Sequence, residues 1–205
     1  MNMKVFIDAE FTSLKAEDLL SIGLVADDGR ECYVELAVEH RRVNAFVLER
    51  VVPQLGLMPV RAATRQDLGS IVGEWLSALG QPSIDVVYDF HADFEWLEDA
   101  LRSAGLWTRL SGVLLPHKVA YLARQRYSDE TMDTSWTASS PANAIARHHS
   151  LADARALRAG YEAAYGTAAT AKAAAQKERP ESAAVPTAGQ FWRTLKPLQQ
   201  TRTVP

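Results

Sequence analysis

The sequence predicts a mixed α/β domain over residues 1–165. Its core is a five-stranded sheet in which an antiparallel meander leads into parallel crossovers, with helices flanking it. Three observations carry that prediction. Met3–Phe11 (MKVFIDAEF) is a strand-forming run with apolar residues on both faces, as a central strand requires. Two more strand-like runs come directly after it, Leu19–Ala26 and Glu31–Val38, joined by the turn signal Asp27-Asp28-Gly29. From Thr64 onward the apolar period lengthens to that of a helix, and helix and strand then alternate.

In the first strand, successive side chains point to opposite faces, so Phe6, Asp8 and Glu10 share one face while Val5, Ile7 and Ala9 share the other. Two acids at the end of a buried strand are costly to ionise unless a positive charge meets them. Lys4 is two strand steps back, so a divalent cation is the simpler partner. The alternative is that the strand ends at Asp8 and both acids are solvated.

The remaining elements are taken in chain order. Residues 39–63 contain two prolines and no clear period. Leu68, Ile71, Val72, Trp75, Leu76 and Leu79 fall at helical spacing, with Thr64 or Arg65 at the start and Gly80 as the stop. Ile84–Tyr88 is the fourth strand, and a helix from Asp93 to about Gly105 carries Phe94, Leu97, Leu101 and Ala104 on one face. Val113–Leu115 is a fifth strand stopped by Pro116. Residues 117–140 are ambiguous, with a short helix around 118–126, and the last helix runs from Ser150 to Tyr165.

With 205 residues and 47% hydrophobic content, the chain supports one core plus appendages. Carboxylates by position 8 argue against a secretory signal, and no apolar run approaches the roughly 20 residues of a membrane span, so a cytoplasmic protein with no membrane partner is expected. The single cysteine, Cys32, reads as a core residue. The net charge of −3 is uneven. From Gly166 onward six basic residues face two acidic ones, so residues 166–205 carry +4 and residues 1–165 carry −7. This Ala- and Pro-rich basic segment reads as a flexible tail with a linker at 180–189. Phe191, Trp192, Leu195 and Leu198 form a docking segment, 190–198, or a frayed end.

Two later segments carry candidate chemistry. Asp93 opens a helix directly after the fourth strand, where α/β proteins place their ligands, and Asp89 and His91 sit in the same link. An acid there is also what the helix dipole favours on its own. In Arg147–Ala154 (RHHSLADA), Ser150 reads as an N-cap with Asp153 three positions on, leaving His148 in the preceding loop. Taken alone, this segment reads better with Asp153 as a cap partner and with His148 and His149 as surface residues.

Taken together and in order, the motifs DAEF, YDFHADFEWL and HHSLAD resemble those of the DEDDh 3′–5′ exonuclease family, over roughly residues 4–165. The small bacterial exoribonucleases with a D-x-E-F first motif look closest; ribonuclease T and oligoribonuclease are more distant. The resemblance implies a ribonuclease-H-like fold, metal ligation by Asp8, Glu10, Asp93 and Asp153, and His148 as general base. His148 is preferred to His149 because the family spacing is His-x4-Asp. One departure is Asp89, where ribonuclease T relatives often carry Asn; it adds a fifth carboxylate near the site.

The activity that the resemblance implies is that of a metal-dependent 3′–5′ exoribonuclease. Four convergent carboxylates raise one another's pKa unless cations are present. Two Mg²⁺ about 4 Å apart, or Mn²⁺ in their place, resolve that repulsion and clamp the scissile phosphate. His148 takes the proton from the attacking water, and nucleoside 5′-monophosphates leave from the 3′ end of single-stranded RNA. Phe11, Thr12 and Leu14 after the first motif, with Asp89, are the candidate substrate contacts, and apolar residues there can stack on the terminal base. Phe11 is equally a core candidate. Tyr88, Phe90 and Phe94 read as packing residues, and His40, His91 and His117 as structural or surface ones. DNA is the alternative substrate, a non-catalytic nucleic-acid-binding module the alternative class, and a homodimer one open assembly. An HD-type phosphohydrolase needs an adjacent His-Asp dyad, which is missing.

Overall fold

The computed structural model describes residues 2–13, 18–37, 43–58, 60–119 and 146–166, all within one compact unit, Met1–Thr167. The expectations for Leu14, for His40, for the helix at 118–126 beyond Val119 and for the tail lie outside the described residues. The fold is mixed α/β, with strands β1 (Met3–Phe11), β2 (Leu19–Ala26), β3 (Glu31–Leu36), β4 (Arg61–Ala62), β5 (Ile84–Tyr88) and β6 (Leu114–Lys118) in the order β4-β3-β2-β1-β5-β6. The meander β1-β2-β3 is antiparallel, whereas β5 joins β1, β6 joins β5 and β4 joins β3 in parallel. The helices are α1 (Ala45–Arg50), α2 (Arg65–Ala78), α3 (His91–Ser103), α4 (Trp107–Leu110) and α5 (Ser150–Tyr161), the last continuing into a wider turn over Glu162–Gly166.

Six strands are present among the described residues instead of five. The addition, β4, is two residues long and lies in the stretch without a clear period; a strand that short leaves no alternation to read. The fifth expected strand is longer than its proline suggested. Pro116 sits within β6, opposite Val86, because β6 is an edge strand, where a missing N–H is tolerated. β3 stops at Leu36, two residues short of the expected Val38, and α3 begins at His91, so Asp93 lies in its first turn instead of opening it.

Both faces of β1 are covered, as its sequence requires. Val5, Ile7 and Ala9 join Ile22, Leu24, Val34 and Val86 in the main core beneath α2 and α3, whose Leu68, Val72, Leu97 and Leu101 are buried there. On the opposite face, Phe6 packs with Val87, Val119 and Leu157, and Val25 and Tyr33 pack with Leu151 and Ala154 of α5. Thr64 starts α2 with a reciprocal capping box to Asp67. No helix among the described residues is long and apolar enough to cross a membrane.

Close approaches set the helices against the sheet and each other. A Cβ on Gly69 would collide with the Ala100 carbonyl of α3, and one on Gly23 with the backbone of Ser150 and Leu151. Gly23 lies opposite Asp8 in the β1–β2 ladder, so the start of α5 descends onto the sheet beside the strand that carries the acids. The hydroxyls of Ser21 and Ser150 meet there at 3.0 Å, both buried. We predict that Gly23→Ala lifts α5 and lowers stability by about 1–3 kcal/mol, the usual cost of overpacking. Urea denaturation monitored by circular dichroism measures this; an unchanged midpoint contradicts the contact.

Candidate active site

Five acidic side chains and one imidazole gather at the end of β1. Asp8 and Glu10 come from the strand face that α5 covers, Asp89 and Asp93 from the turn and first helical turn after β5, and Asp153 from the first turn of α5. Their ligand atoms fall into two groups, each lying within 4.8 Å of one another: Asp8 with Asp89 and Asp93, and Glu10 with Asp153 and His148. Every catalytic and metal candidate from the sequence is therefore in one place.

Each acid is held by its own local structure. Asp93 is 2% exposed and accepts the Ala9 N–H on Oδ1 at 3.3 Å, which ties the start of α3 to β1. Asp153 Oδ2 accepts the His148 N–H at 3.0 Å, while the Asp153 N–H donates to the His149 carbonyl. The Ser150–Asp153 capping box expected from the sequence is not formed. His149 occupies the cap position without a side-chain bond, and Ser150 turns inward to Ser21. Asp153 instead fixes the turn that presents His148, whose φ of 71° is the left-handed region. Gln54 holds that turn from the other side: its amide nitrogen donates to the Arg147 carbonyl at 2.7 Å, and its amide oxygen accepts the Ala146 N–H at 2.7 Å.

The charges are mutually unfavourable. Burial, then Asp153, Asp93, Glu10 and Asp89, push the Asp8 carboxyl well above the usual range. Burial and then Asp153 push Glu10 to about 8, and burial and then Asp89 raise Asp93 despite its backbone bonds. Asp8 Oδ2 and Asp93 Oδ2 are buried with no hydrogen-bond partner among the described residues. Burial, with the Arg147 and Arg50 charges behind it, lowers His148, which keeps the imidazole neutral and able to accept a proton.

This donor set fits a hard divalent cation. Among the described residues it is dominated by carboxylate oxygens, contains no thiolate, and leaves two buried carboxylate oxygens without partners.

The candidate substrate contacts separate. Phe11 is partly buried, stacked between Phe90 at 6.3 Å and Trp96 at 6.5 Å. Phe90 is 42% exposed, so it is not the packing residue the sequence suggested, whereas Tyr88 and Phe94 do pack, stacked at 5.5 Å. Thr12 is turned away from the surface. It is 1% exposed, and its hydroxyl accepts the Asp18 N–H at 3.2 Å to close the loop after β1. Asp89 stands among the carboxylates. His91 and His117 are at the surface, as expected.

Three contributors were not visible in the sequence. Gln54 and Phe46 lie in the stretch without a clear period; Phe46 is exposed and sets its ring edge-on to His148 at 5.0 Å. His149 is not a surface residue: it is 2% exposed, stacked on Tyr33 at 4.4 Å, and burial lowers it to about 4. Adjacent histidines carry no signal of which one turns inward.

No protein-family model matches the chain, and no curated protein matches it.

The acids give the metal-free protein a defined pH response. A carboxyl raised in the folded state contributes stability that is present below its unfolded pKa and lost as pH rises through the folded value. For Glu10 that window runs from the ordinary value of 4.5 to about 8, with Asp8 and Asp93 shifted in the same direction. His149 and His148, lowered on folding, act oppositely, but only below 6.5. Between pH 6.5 and 8, therefore, the melting temperature in EDTA falls as pH rises, and Glu10→Gln flattens the fall. A melting temperature that rises over this interval contradicts the clustering.

Proposed function

We propose that this protein is a metal-dependent 3′–5′ exonuclease of the DEDDh type on a ribonuclease-H-like fold, acting on single-stranded RNA. The observation that carries this reading is the convergence of Asp8, Glu10, Asp93 and Asp153 with His148 at the end of one central strand. The motif order DAEF, YDFHADFEWL, HHSLAD and the antiparallel meander leading into parallel β5 and β6 support the family and the fold. RNA is favoured over DNA by the resemblance of the D-x-E-F first motif to that of small bacterial exoribonucleases.

Asp8, Glu10, Asp93 and Asp153 would hold Mg²⁺ or Mn²⁺, which when bound supplies charge neutralisation for the carboxylates and for the scissile phosphate. The residues of the chain then have separate tasks. The neutral His148 imidazole, oriented by the Asp153-anchored turn and the Gln54 clamp, accepts the proton of the attacking water. Phe90, exposed and backed by Phe11, offers a ring on which the terminal base can stack, and such stacking is worth about 1–3 kcal/mol per base. Cleavage of the terminal phosphodiester leaves a 3′-hydroxyl on the shortened strand and releases a nucleoside 5′-monophosphate.

Digestion of 5′-labelled single-stranded RNA and DNA of equal sequence tests the reading. A ladder shortening from the 3′ end is expected with Mg²⁺ or Mn²⁺ and not with EDTA. His148→Ala should slow it by about 10²–10⁴-fold, the usual contribution of a general base. Faster cleavage of DNA than RNA moves the substrate to DNA. Binding without cleavage under both metals overturns the enzyme in favour of a binding module.

A further inference from the structure

Asp89 is the one carboxylate of the cluster that the motif pattern does not explain. It stands in the turn between β5 and α3, half-buried, with a ligand atom within 4.8 Å of those of both Asp8 and Asp93. Three carboxylates at that separation are repulsive unless they share a proton or a cation. Two features of its neighbours favour the cation. Asp93 is 2% exposed, its Oδ1 is already engaged by the Ala9 N–H, and its Oδ2 has no partner among the described residues. Asp8 Oδ2 is buried in the same condition. A single proton shared between two of these carboxylates engages two oxygens and leaves the third residue's charge unmet, whereas a cation reaches all three residues.

We propose that Asp89 is a direct carboxylate ligand for a hard divalent cation, forming with Asp8 and Asp93 a site distinct from the one at Glu10 and Asp153. The inference rests on the metal-dependent reading above and adds a fifth carboxylate to it. Six to eight oxygen ligands suit Ca²⁺, while an octahedral ion that keeps several waters suits a site of three carboxylates, so Mg²⁺ and Mn²⁺ are the ions it would take.

Mn²⁺ titration of the full chain, with free ion measured by electron paramagnetic resonance, tests the proposal without recourse to activity. Wild-type protein and the control Glu95→Gln, an exposed acid on α3 outside both groups, should bind two ions. Asp89→Ala should lose one ion or bind it at least tenfold more weakly, and Asp89→Asn, which keeps an oxygen but no charge, should lie between. Melting curves add a signature that loss of a packing contact does not produce. In EDTA, Asp89→Ala should melt above wild type, because a like charge has gone, while its rise on adding Mn²⁺ should be smaller. If Asp89→Ala retains both ions within twofold of wild-type affinity, Asp89 is not a ligand, whatever the protein cleaves. If wild type binds two ions, loses one in Asp89→Ala and degrades neither RNA nor DNA, the site stands and the exonuclease reading fails. A wild-type protein that binds no Mn²⁺ overturns both.

Discussion

The arrangement depends on two carboxylates at the end of a strand that is buried on both faces. Val5, Ile7 and Ala9 commit one face of β1 to the main core, and Phe6 commits the other to the space beneath α5. Asp8 and Glu10 cannot turn away from their face without shifting the strand by one residue, which would expose the core set. The cost of holding them there is written in their raised proton affinities. A hydrophobic sheet thus creates an electrostatic demand, and the neighbouring elements increase it by adding Asp93, Asp153 and Asp89.

Each of those elements is positioned by a contact distant from the reacting centre. Gly23 lets the α5 backbone reach the sheet, and Ser21 with Ser150 secures it, so Asp153 arrives beside Glu10. The Asp93 bond to Ala9 N–H ties α3 to β1. Gln54 clamps the turn before α5 through two backbone groups, and Phe46 lies edge-on to the imidazole that this turn presents. Substitutions at such residues would alter geometry without removing any acid, and a loss of about 1 Å in placement is enough to matter in a site that works by orientation.

Much of this was legible in the sequence where a physical period exists. The two-residue alternation of Met3–Phe11 puts Asp8 and Glu10 on one face, and the helical spacing of Leu68, Val72 and Leu76 identifies α2, with its Thr64 cap. The DAEF, YDFHADFEWL and HHSLAD segments named the five residues that the fold brings together. What stayed hidden lacks a local signature. β4 is too short to alternate, and Pro116 reads as a stop unless the strand is known to be an edge. Thr12 looks available after the motif, but its hydroxyl closes a loop onto Asp18, a partner six residues on. Phe90 reads as a packing residue because it is aromatic, yet it stands exposed at the cap position just before α3. Gln54 and the inward turn of His149 depend on contacts between residues tens of positions apart, which no window of sequence contains.

If these carboxylates exist in this geometry to hold cations, the cations should be visible among them. Anomalous diffraction from crystals grown with Mn²⁺ tests this most directly. Two strong peaks are expected, one bounded by Asp8, Asp89 and Asp93 and the other by Glu10 and Asp153. Ordered crystals in saturating Mn²⁺ with no peak among these acids would contradict the metal-binding role, and would leave their raised proton affinities to be met by shared protons alone.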